Sequence, residues 1–329
     1  MATEARNLRL GVFGIGALGR HHTRILSTLP GVTLAGIFDT RPEVAAAVAA
    51  EHGAAVAPSF DDLAGRIAAA VLAAPTTLHG ELGLALLERG VHLLVEKPIA
   101  SSLAEADALI AAAEARERVL AVGHVEFHNP AVQALLDAGS APRFIEIERL
   151  GTYSPRSLDV DVILDLMIHD LQILQAMDTS EVVEVRAVGI PVLSERIDIA
   201  NARIAFASGL VANVTASRIS GERVRKLRAF FADRYLSLDY QAQEIKGYRL
   251  DLSGGSRAIL PANPPVEKSE PLLRELAAFV AACRGERVRQ VEGRSGRRAL
   301  ATALGAALVG VLASLDVLRA RPLAVLREG

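Results

Sequence analysis

The sequence predicts an α/β protein with two domains: an N-terminal doubly wound parallel sheet, and a C-terminal α+β domain with a large open, mostly antiparallel sheet. Strand-like and helix-like runs alternate through about the first 124 residues, which is the spacing of βαβ units. Beyond that point β-type runs follow one another without helices, which favours antiparallel pairing. A chain of 329 residues accommodates both domains, which we place at 1–124 and 125–329.

Composition narrows the class of protein. Apolar residues make up 51% of the chain, enough for sizeable cores, and a net charge of −2 gives no reason to expect a nucleic-acid partner. The single cysteine, Cys283, excludes an internal disulfide, and we expect no signal peptide and a cytoplasmic location. The uncharged run 299–315 is short and alanine-rich for a membrane span, so we expect a buried helix or one that packs against another subunit.

The first strand and helix enclose a glycine-rich turn. An apolar run over 8–13 leads into G-x-G-x-x-G, and a helix-like run follows over 20–26. In this context the glycines permit a tight turn, close approach of a pyrophosphate and close packing of helix on strand, while the helix N-terminus offers N–H groups to phosphate. The predicted cofactor contacts in this turn are Gly14, Gly16, Ala17, Leu18 and Gly19.

The second apolar run, 33–38, ends at Asp39, about 20 residues past the last glycine, where an acidic side chain meets the ribose 2′-hydroxyl of NAD. Arg41 follows two residues later and could hold the 2′-phosphate of NADP instead. We favour NAD because a carboxylate at this position repels a phosphate. The prediction is therefore NAD, with NADP possible.

Further runs complete the first sheet, for which we expect six strands in all. In open parallel sheets, ligands bind at the carboxyl ends of the strands, where the loop 74–79 lies. The predicted strands are 68–73, 91–95 and 119–122, and the predicted helices are 41–52, 80–89 and 103–116.

Glu96-Lys97-Pro98 follows a predicted strand at this ligand-binding edge. A lysine here can donate to a substrate oxygen, and burial can lower its pKa into the range of general acid–base catalysis. A cis Lys97–Pro98 bond would aim the lysine. The alternative is an ordinary lysine–glutamate pair at a strand end.

Asp165 and His169 are four residues apart on a predicted helix over 162–177, so they share one helix face among apolar neighbours. His169 is suited to take a proton from a substrate alcohol while Asp165 orients nearby groups. The alternative is a satisfied buried pair. No third ligand is evident for a metal, so we expect none, and we expect Asp170 on the other face in a structural position.

The stretch 123–130 follows the last strand of the first sheet and reaches the same edge. His124 and Asn129 are candidates to touch the substrate or the nicotinamide. The alternative is a polar crossover between the domains.

The second half of the chain predicts the open sheet, whose exposed face usually binds substrate or another subunit. We expect a homodimer or homotetramer formed through it. A strand is predicted over 144–150, and several short β-type runs are predicted between 182 and 249, including 197–206, 210–217, 227–231 and 235–240. A loop over 253–271 and helices over 272–283 and 296–319 follow.

In order along the chain, the glycine turn, Ala74-Pro75-Thr76 with His79, Glu96-Lys97-Pro98 and Asp165-x-x-x-His169 resemble the Gfo/Idh/MocA family of nicotinamide-dependent oxidoreductases. The resemblance implies hydride transfer between nicotinamide and a sugar or cyclitol carbon. By position it makes Lys97 and His169 the proton-handling residues, with the choice of base open, and Asp165 a substrate or orienting residue. The implied cofactor contacts beyond the turn are Asp39, Arg41, Pro75, Thr76, His79, Glu96 and Lys97.

Further stretches are similar to the branch of the family that acts as UDP-N-acetylglucosamine 3-dehydrogenase. They are 123–126, 154–157, 165–170 and 215–218. On this resemblance Arg156, Arg218 and Lys226 could serve a diphosphate, since Arg and Lys bind phosphate oxygens well. The alternative is a set of solvated surface cations.

We therefore expect an NAD(P)-dependent dehydrogenase that acts on a sugar or a nucleotide sugar. The predicted substrate contacts are Lys97, His124, Asn129, Arg156, Asp165, His169 and Arg218. Two alternatives stay open: a family member that uses NAD transiently, as some glycosidases do, and a non-catalytic NAD-binding sensor.

Overall fold

The structure is a computed structural model, and it describes residues 7–139, 141–153, 160–253 and 257–319. It divides into two compact units. The first unit runs to Asn129 and includes Ser269–Arg298; the second comprises Pro130–Lys268 and the described residues from Ala299 onward. This division differs from the predicted one, because Leu276 and Phe279 bury their side chains in the core of the first unit.

The first unit is built on a parallel sheet with the strand order β2-β1-β3-β4-β5. The expectation of six strands was wrong for the described residues: Val56 forms a single bridge with Ile37 and no further strand. The strands are β1 (Leu8–Phe13), β2 (Val32–Phe38), β3 (Ala69–Leu72), β4 (His92–Glu96) and β5 (Leu120–Gly123).

Five helices connect these strands, and their starts follow from the sequence. Pro42 lies in the first turn of α2, and the side chain of Ser102 accepts the N–H of Glu105 at the start of α5. Ser59 caps a short helix, α3, that the sequence analysis did not predict. The helices are α1 (Ala17–Leu26), α2 (Pro42–His52), α3 (Phe60–Ala64), α4 (His79–Glu88) and α5 (Leu103–Ala115).

The second unit contains an eight-stranded sheet with the order β13-β12-β11-β10-β6-β9-β8-β7. All neighbours are antiparallel except β6 and β9. This confirms the predicted large, mostly antiparallel sheet. The strands are β6 (Phe144–Leu150), β7 (Val182–Ile190), β8 (Ile199–Phe206), β9 (Val211–Ser217), β10 (Val224–Phe230), β11 (Arg234–Asp239), β12 (Glu244–Asp251) and β13 (Ala258–Pro261).

Two elements here were not predicted. Strand β13 lies within the stretch 253–271 that we expected to be a loop, where it completes the sheet edge by pairing with β12. Helix α6 precedes β6. The helices of this half of the chain are α6 (Pro130–Leu136), α7 (Ile168–Met177), α8 (Pro271–Cys283) and α9 (Gly293–Arg319), and α8 packs in the first unit.

One face of the large sheet is buried and the other is open. Along β6, Ile145 and Ile147 point into the core, whereas Glu146 and Glu148 lie on the opposite face. This alternation is what a half-buried antiparallel sheet requires. The open face also carries an aromatic group formed by Phe144, Phe230 and Tyr235.

The uncharged run 299–315 lies in α9, and Ala299, Ala303 and Ala306 are buried in the core of the second unit. The other side of the helix is exposed at Leu308, Val311 and Leu312, so the helix is buried on one side only, and its packing against another subunit stays a prediction. Among the described residues, none of the helices combines the length and hydrophobicity needed to cross a membrane. The cellular compartment stays a prediction.

Candidate active site

The glycine turn between β1 and α1 has no room for side chains at two positions. Gly14 has a φ of +84°, and a Cβ there would lie 2.7 Å from the backbone of Ala73. A Cβ on Gly19 would lie 1.9 Å from the carbonyl oxygen of Gly14. At Gly16, by contrast, a Cβ would meet no atom of the described residues within 4 Å, so the backbone is open to a ligand on that side. The turn is shaped for close approach of a ligand to its backbone.

The N-terminus of α1 opens onto this space. Gly16 is the N-cap, no side chain caps it, and the first turn contains no acidic residue. The first N–H groups of a helix have no intrahelical partner, and with the helix dipole they favour an anion. Ala17 and Leu18 begin the helix here. These residues fit a dinucleotide pyrophosphate.

A cavity of about 480 Å³ adjoins the turn at the carboxyl ends of β1, β2 and β3. Pro75 lines it, whereas Thr76 lies in a neighbouring 3₁₀ turn, where its carbonyl accepts the hydroxyl of Ser101 at 3.2 Å. The cavity is walled largely by apolar side chains with a few polar groups, which is typical of cofactor sites. Its lining includes Gly14, Gly16, Phe38, Asp39, Arg41 and Pro75.

Asp39 is fixed at the mouth of this cavity. Its carboxylate accepts the N–H of Ile15 at 2.7 Å and two bonds from the guanidinium of Arg41 at 3.0 and 3.1 Å. Burial raises the pKa of the Asp39 carboxyl, but the hydrogen bonds from Arg41 and Ile15 outweigh burial and hold that pKa below its usual value. The group is therefore a carboxylate at neutral pH, as hydrogen bonding to a ribose hydroxyl requires.

The imidazole of His79 contacts two backbone carbonyl groups. One ring nitrogen lies 2.9 Å from the carbonyl oxygen of Pro98 and the other 2.9 Å from that of Ala74, and the ring is buried. Burial lowers the pKa of His79 despite these contacts. The imidazole therefore joins the loops after β3 and β4, and the predicted contact of His79 with the cofactor stays a prediction. The Lys97–Pro98 bond is cis.

Glu96 is also turned into the protein. Its carboxylate lies 2.6 Å from Nε2 of His22 and accepts the backbone N–H of Lys97 at 3.3 Å. Only 6% of Glu96 is exposed, and its predicted contact with the cofactor stays a prediction. His22, on α1, was not singled out from the sequence, since its partner is 74 residues away.

The stretch after β5 is buried as well. His124 is fully buried, and burial, together with the charge of Lys97, lowers its pKa to about 3. Burial likewise lowers the pKa of His128 to about 4. Asn129 is 2% exposed. His124 is therefore a neutral imidazole near Lys97, and the predicted substrate contacts of His124 and Asn129 stay predictions.

In the second unit, Asp165 and His169 lie where a π-helical turn, Ile163–Met167, runs into α7. The sequence analysis predicted one uninterrupted helix and missed this turn. Asp165 is half-buried and His169 is 9% exposed. Single π-helical turns are frequent at functional sites, because the widened backbone displaces side chains from their helical positions. Within the described residues there is no group of three potential metal ligands.

Asp170 has the structural position expected of it. Its two carboxylate oxygens each accept a guanidinium N–H of Arg149 at 2.7 Å, and both side chains are buried. The guanidinium also lies 5.0 Å from the ring centroid of Tyr240. This pair joins β6 to α7, the helix that also carries His169.

Of the three residues predicted to serve a diphosphate, the structure describes Arg218 and Lys226. Arg218 is buried and donates to Asp198 at 2.8 Å and to the carbonyl of Val160 at 2.7 Å. Its predicted contact with the substrate stays a prediction. Hydrogen bonds from backbone and side chains outweigh burial and lower the pKa of Asp198. Lys226 is exposed on β10, and Arg156 lies outside the described residues.

Comparison with known proteins decides the family. Residues 8–124 match the Gfo/Idh/MocA oxidoreductase family with an NAD-binding Rossmann fold. UDP-N-acetylglucosamine 3-dehydrogenase from Acidithiobacillus ferrooxidans is 40% identical over 301 residues, 91% of this chain and 96% of the relative. The chain belongs to the Gfo/Idh/MocA family.

Other relatives agree with this membership. A solved structure of the Acidithiobacillus ferrooxidans enzyme superposes with a TM-score of 0.86 at 39% identity, covering 92% of this chain and 97% of that one. Inositol 2-dehydrogenase from Acidothermus cellulolyticus is 30% identical over 199 residues, which are 57% of this chain and 58% of that enzyme. As a Gfo/Idh/MocA member, the chain is an NAD-binding oxidoreductase that acts on CH–OH groups.

The structure of this Gfo/Idh/MocA protein also contains a buried acid that sequence reasoning missed. Glu275, on α8, is 2% exposed, and its carboxyl oxygens make no hydrogen bond within the described part of the chain. Burial, reinforced by the charge of Glu96, raises its pKa well above 4.5. No motif marks it, because only the packing of α8 brings it to this place.

We expect Glu275→Gln to gain stability over the wild type as pH rises above about 4.5. The folded wild type keeps the proton of Glu275, whereas the unfolded chain loses it, so the unfolding free energy of the wild type falls as pH rises. The glutamine amide does not titrate, so the variant lacks this loss. The difference in unfolding free energy should grow by up to about 1.4 kcal/mol per pH unit. Urea unfolding at pH 5, 6 and 7, with the exposed Glu88→Gln as control, tests this; a pH-independent difference would contradict it.

Proposed function

We propose that the chain is an NAD-dependent dehydrogenase of a nucleotide sugar, oxidising the 3-hydroxyl of UDP-N-acetylglucosamine. The observation that carries this proposal is the 40% identity to a relative of that name over nearly the full length of both chains. The open glycine turn and the ionised Asp39 support the cofactor part of the proposal.

The residues of the first unit have separate tasks in binding the cofactor. The N–H groups at the start of α1 hold the pyrophosphate, with Gly16 leaving room for its approach. Asp39 accepts a ribose hydroxyl. When bound, NAD supplies the carbon that accepts the hydride.

Lys97 and His169 handle the substrate proton. Either the amine of Lys97 or the imidazole of His169 removes the proton of the hydroxyl, because an alkoxide left unassisted is costly at neutral pH. Asp165, one turn before His169, orients the imidazole or the sugar. Which of Lys97 and His169 is the base stays open.

The Asp39–Arg41 pair favours NAD over NADP. Arg41, the cation that could receive a 2′-phosphate, is already bound through two guanidinium nitrogens to Asp39. A phosphate would have to displace this pair and would meet the carboxylate at close range.

A steady-state assay of UDP-N-acetylglucosamine and of free sugars, each with NAD and with NADP, tests the proposal. We expect reduced nicotinamide to accumulate with the nucleotide sugar and NAD. Tight NADH binding without any turnover would favour a sensor. Turnover of a glycoside without accumulation of NADH would favour transient use of the cofactor.

We also propose that the open face of the large sheet joins copies of the chain into a homodimer or homotetramer. The face combines aromatic side chains with the charged group Glu146, Glu148 and Arg228, a mixture that suits a subunit interface. Light scattering of the purified chain should give twice or four times the monomer mass. Arg228→Glu, which places three acids together, should lower that mass, and a monomeric wild type would refute the proposal.

A further inference from the structure

Two polar side chains are buried together beneath the strand end that carries Lys97. His22, on α1, is 0% exposed, and Glu96, on β4, is 6% exposed. Both belong to the first unit. Burying an imidazole and a carboxylate costs free energy unless they are paired, and an apolar pair would cost less. Their presence therefore calls for an explanation beyond packing.

The contacts of Glu96 connect two parts of the site. Nε2 of His22 donates to Oε1 of Glu96 at 2.6 Å, since a carboxylate only accepts. Oε2, the other oxygen, accepts the backbone N–H of Lys97 at 3.3 Å. Hydrogen bonds to charged groups are shorter and stronger than neutral ones, so the His22–Glu96 bond is the firm element of this connection.

The helix that carries His22 is the one that begins at the glycine turn. Gly16 caps α1, and His22 lies on its second turn. The two hydrogen bonds thus run from the helix that faces the pyrophosphate, through Glu96, to the backbone of Lys97. All of these groups lie in the first unit.

Neighbouring residues keep this connection tight. A Cβ on Gly123 of β5 would lie 2.9 Å from the carboxyl carbon of Glu96, so the side chain is enclosed on that side. Glu275, from α8, lies near Glu96 and is held neutral by burial, which raises its pKa. Glu96 therefore keeps its bond to His22 without a second carboxylate competing for the donor.

We propose that His22 and Glu96 are positioning residues that fix the backbone of Lys97 relative to the cofactor-binding helix α1. The inference rests on the proposed function, in which Lys97 handles the substrate proton. A displacement of about 1 Å at a reacting group can cost about 100-fold in rate, so a rigid connection of this kind affects turnover more than binding.

Replacement of His22 should separate turnover from cofactor binding. We expect His22→Phe, which fills the space but cannot donate, to lower kcat by about 10- to 100-fold. The Kd for NADH, measured by fluorescence, should change less than threefold. His22→Gln, which keeps an N–H donor, should restore most of the kcat. His21→Phe, at the exposed neighbouring position, is the matched control and should behave as wild type.

Two further measurements keep the test decisive if His22→Phe does not fold. His22→Asn removes the contact without adding volume, because its amide ends short of Glu96. In the protein without cofactor, hydrogen exchange at the Lys97 amide should be faster in this variant than in the wild type. In a double-mutant cycle, His22→Asn with Glu96→Gln should cost no more in kcat than the larger single change.

Wild-type kcat in folded His22→Asn, or losses that add independently in the cycle, would overturn this inference. Failure of the proposed function is distinguishable from that result, since it would appear as undiminished turnover in Lys97→Ala. A loss with Lys97→Ala and none with the His22 variants would refute only the positioning of Lys97 by His22.

Discussion

Lys97→Ala and His169→Ala should each lower kcat by about two to four decades, while the Kd for NADH stays within about threefold of the wild type. Each substitution removes a group proposed to exchange a proton with the substrate hydroxyl, and this kind of catalysis contributes rate enhancement of that size. The glycine turn and Asp39, which would hold the cofactor, lie apart from both changes in the chain. Steady-state kinetics and fluorescence titration measure the two quantities.

Exposed residues of the same types provide the controls. Lys246→Ala, on β12, and His21→Ala, on α1, should leave kcat within about twofold, since both side chains are exposed. Unchanged kcat in both Lys97→Ala and His169→Ala would reject the assignment of proton transfer to these residues. A larger loss of kcat in one of the two variants would identify the residue replaced there as the base. Exposed lysines and histidines such as Lys246 and His21 cannot account for such a difference.

Asp170→Ala should lower the free energy of unfolding by about 3–5 kcal/mol, because it leaves the guanidinium of Arg149 buried without its carboxylate. Both nitrogen–oxygen distances in this pair are 2.7 Å, and the Asp170 side chain is fully buried. Urea denaturation at pH 7 measures the effect.

Two comparisons isolate how much of the lost unfolding free energy comes from leaving the guanidinium of Arg149 unpaired. Asp107→Ala breaks the exposed pair with Arg297 and should cost far less than Asp170→Ala, because water screens both charges. The double change Arg149→Met with Asp170→Leu removes both charges and should recover most of the lost stability. A double variant as unstable as Asp170→Ala would show that packing, not the unpaired charge, sets the cost.

The local features of the cofactor site were predictable from the sequence. The G-x-G-x-x-G turn, the strands on either side of it and Asp39 are encoded within about 30 residues, and their geometry depends on neighbours along the chain. The carboxyl edge of the sheet and the partly buried helix α9 followed similarly. The motif order also indicated the family correctly.

Other predictions depended on where distant segments pack. Arg218 was predicted to contact the substrate, and only the fold shows that its guanidinium donates to Asp198 within the second unit. His79 and Glu96 appeared in a cofactor-binding pattern, yet they turn towards backbone and towards His22. A sequence pattern gives the residue type and the strand end, whereas the direction of a side chain is set by its tertiary neighbours.

The sequence by itself determined that a parallel sheet with a pyrophosphate turn precedes a mostly antiparallel sheet, because strand and turn propensities act over short distances. Only the tertiary structure decided that 269–298 returns to the first unit and that His22 contacts Glu96. It alone showed Glu275 buried nearby and Arg149 paired with Asp170. These contacts join residues that are far apart in the chain, and desolvation and charge, which make them strong, arise only when the core closes around them.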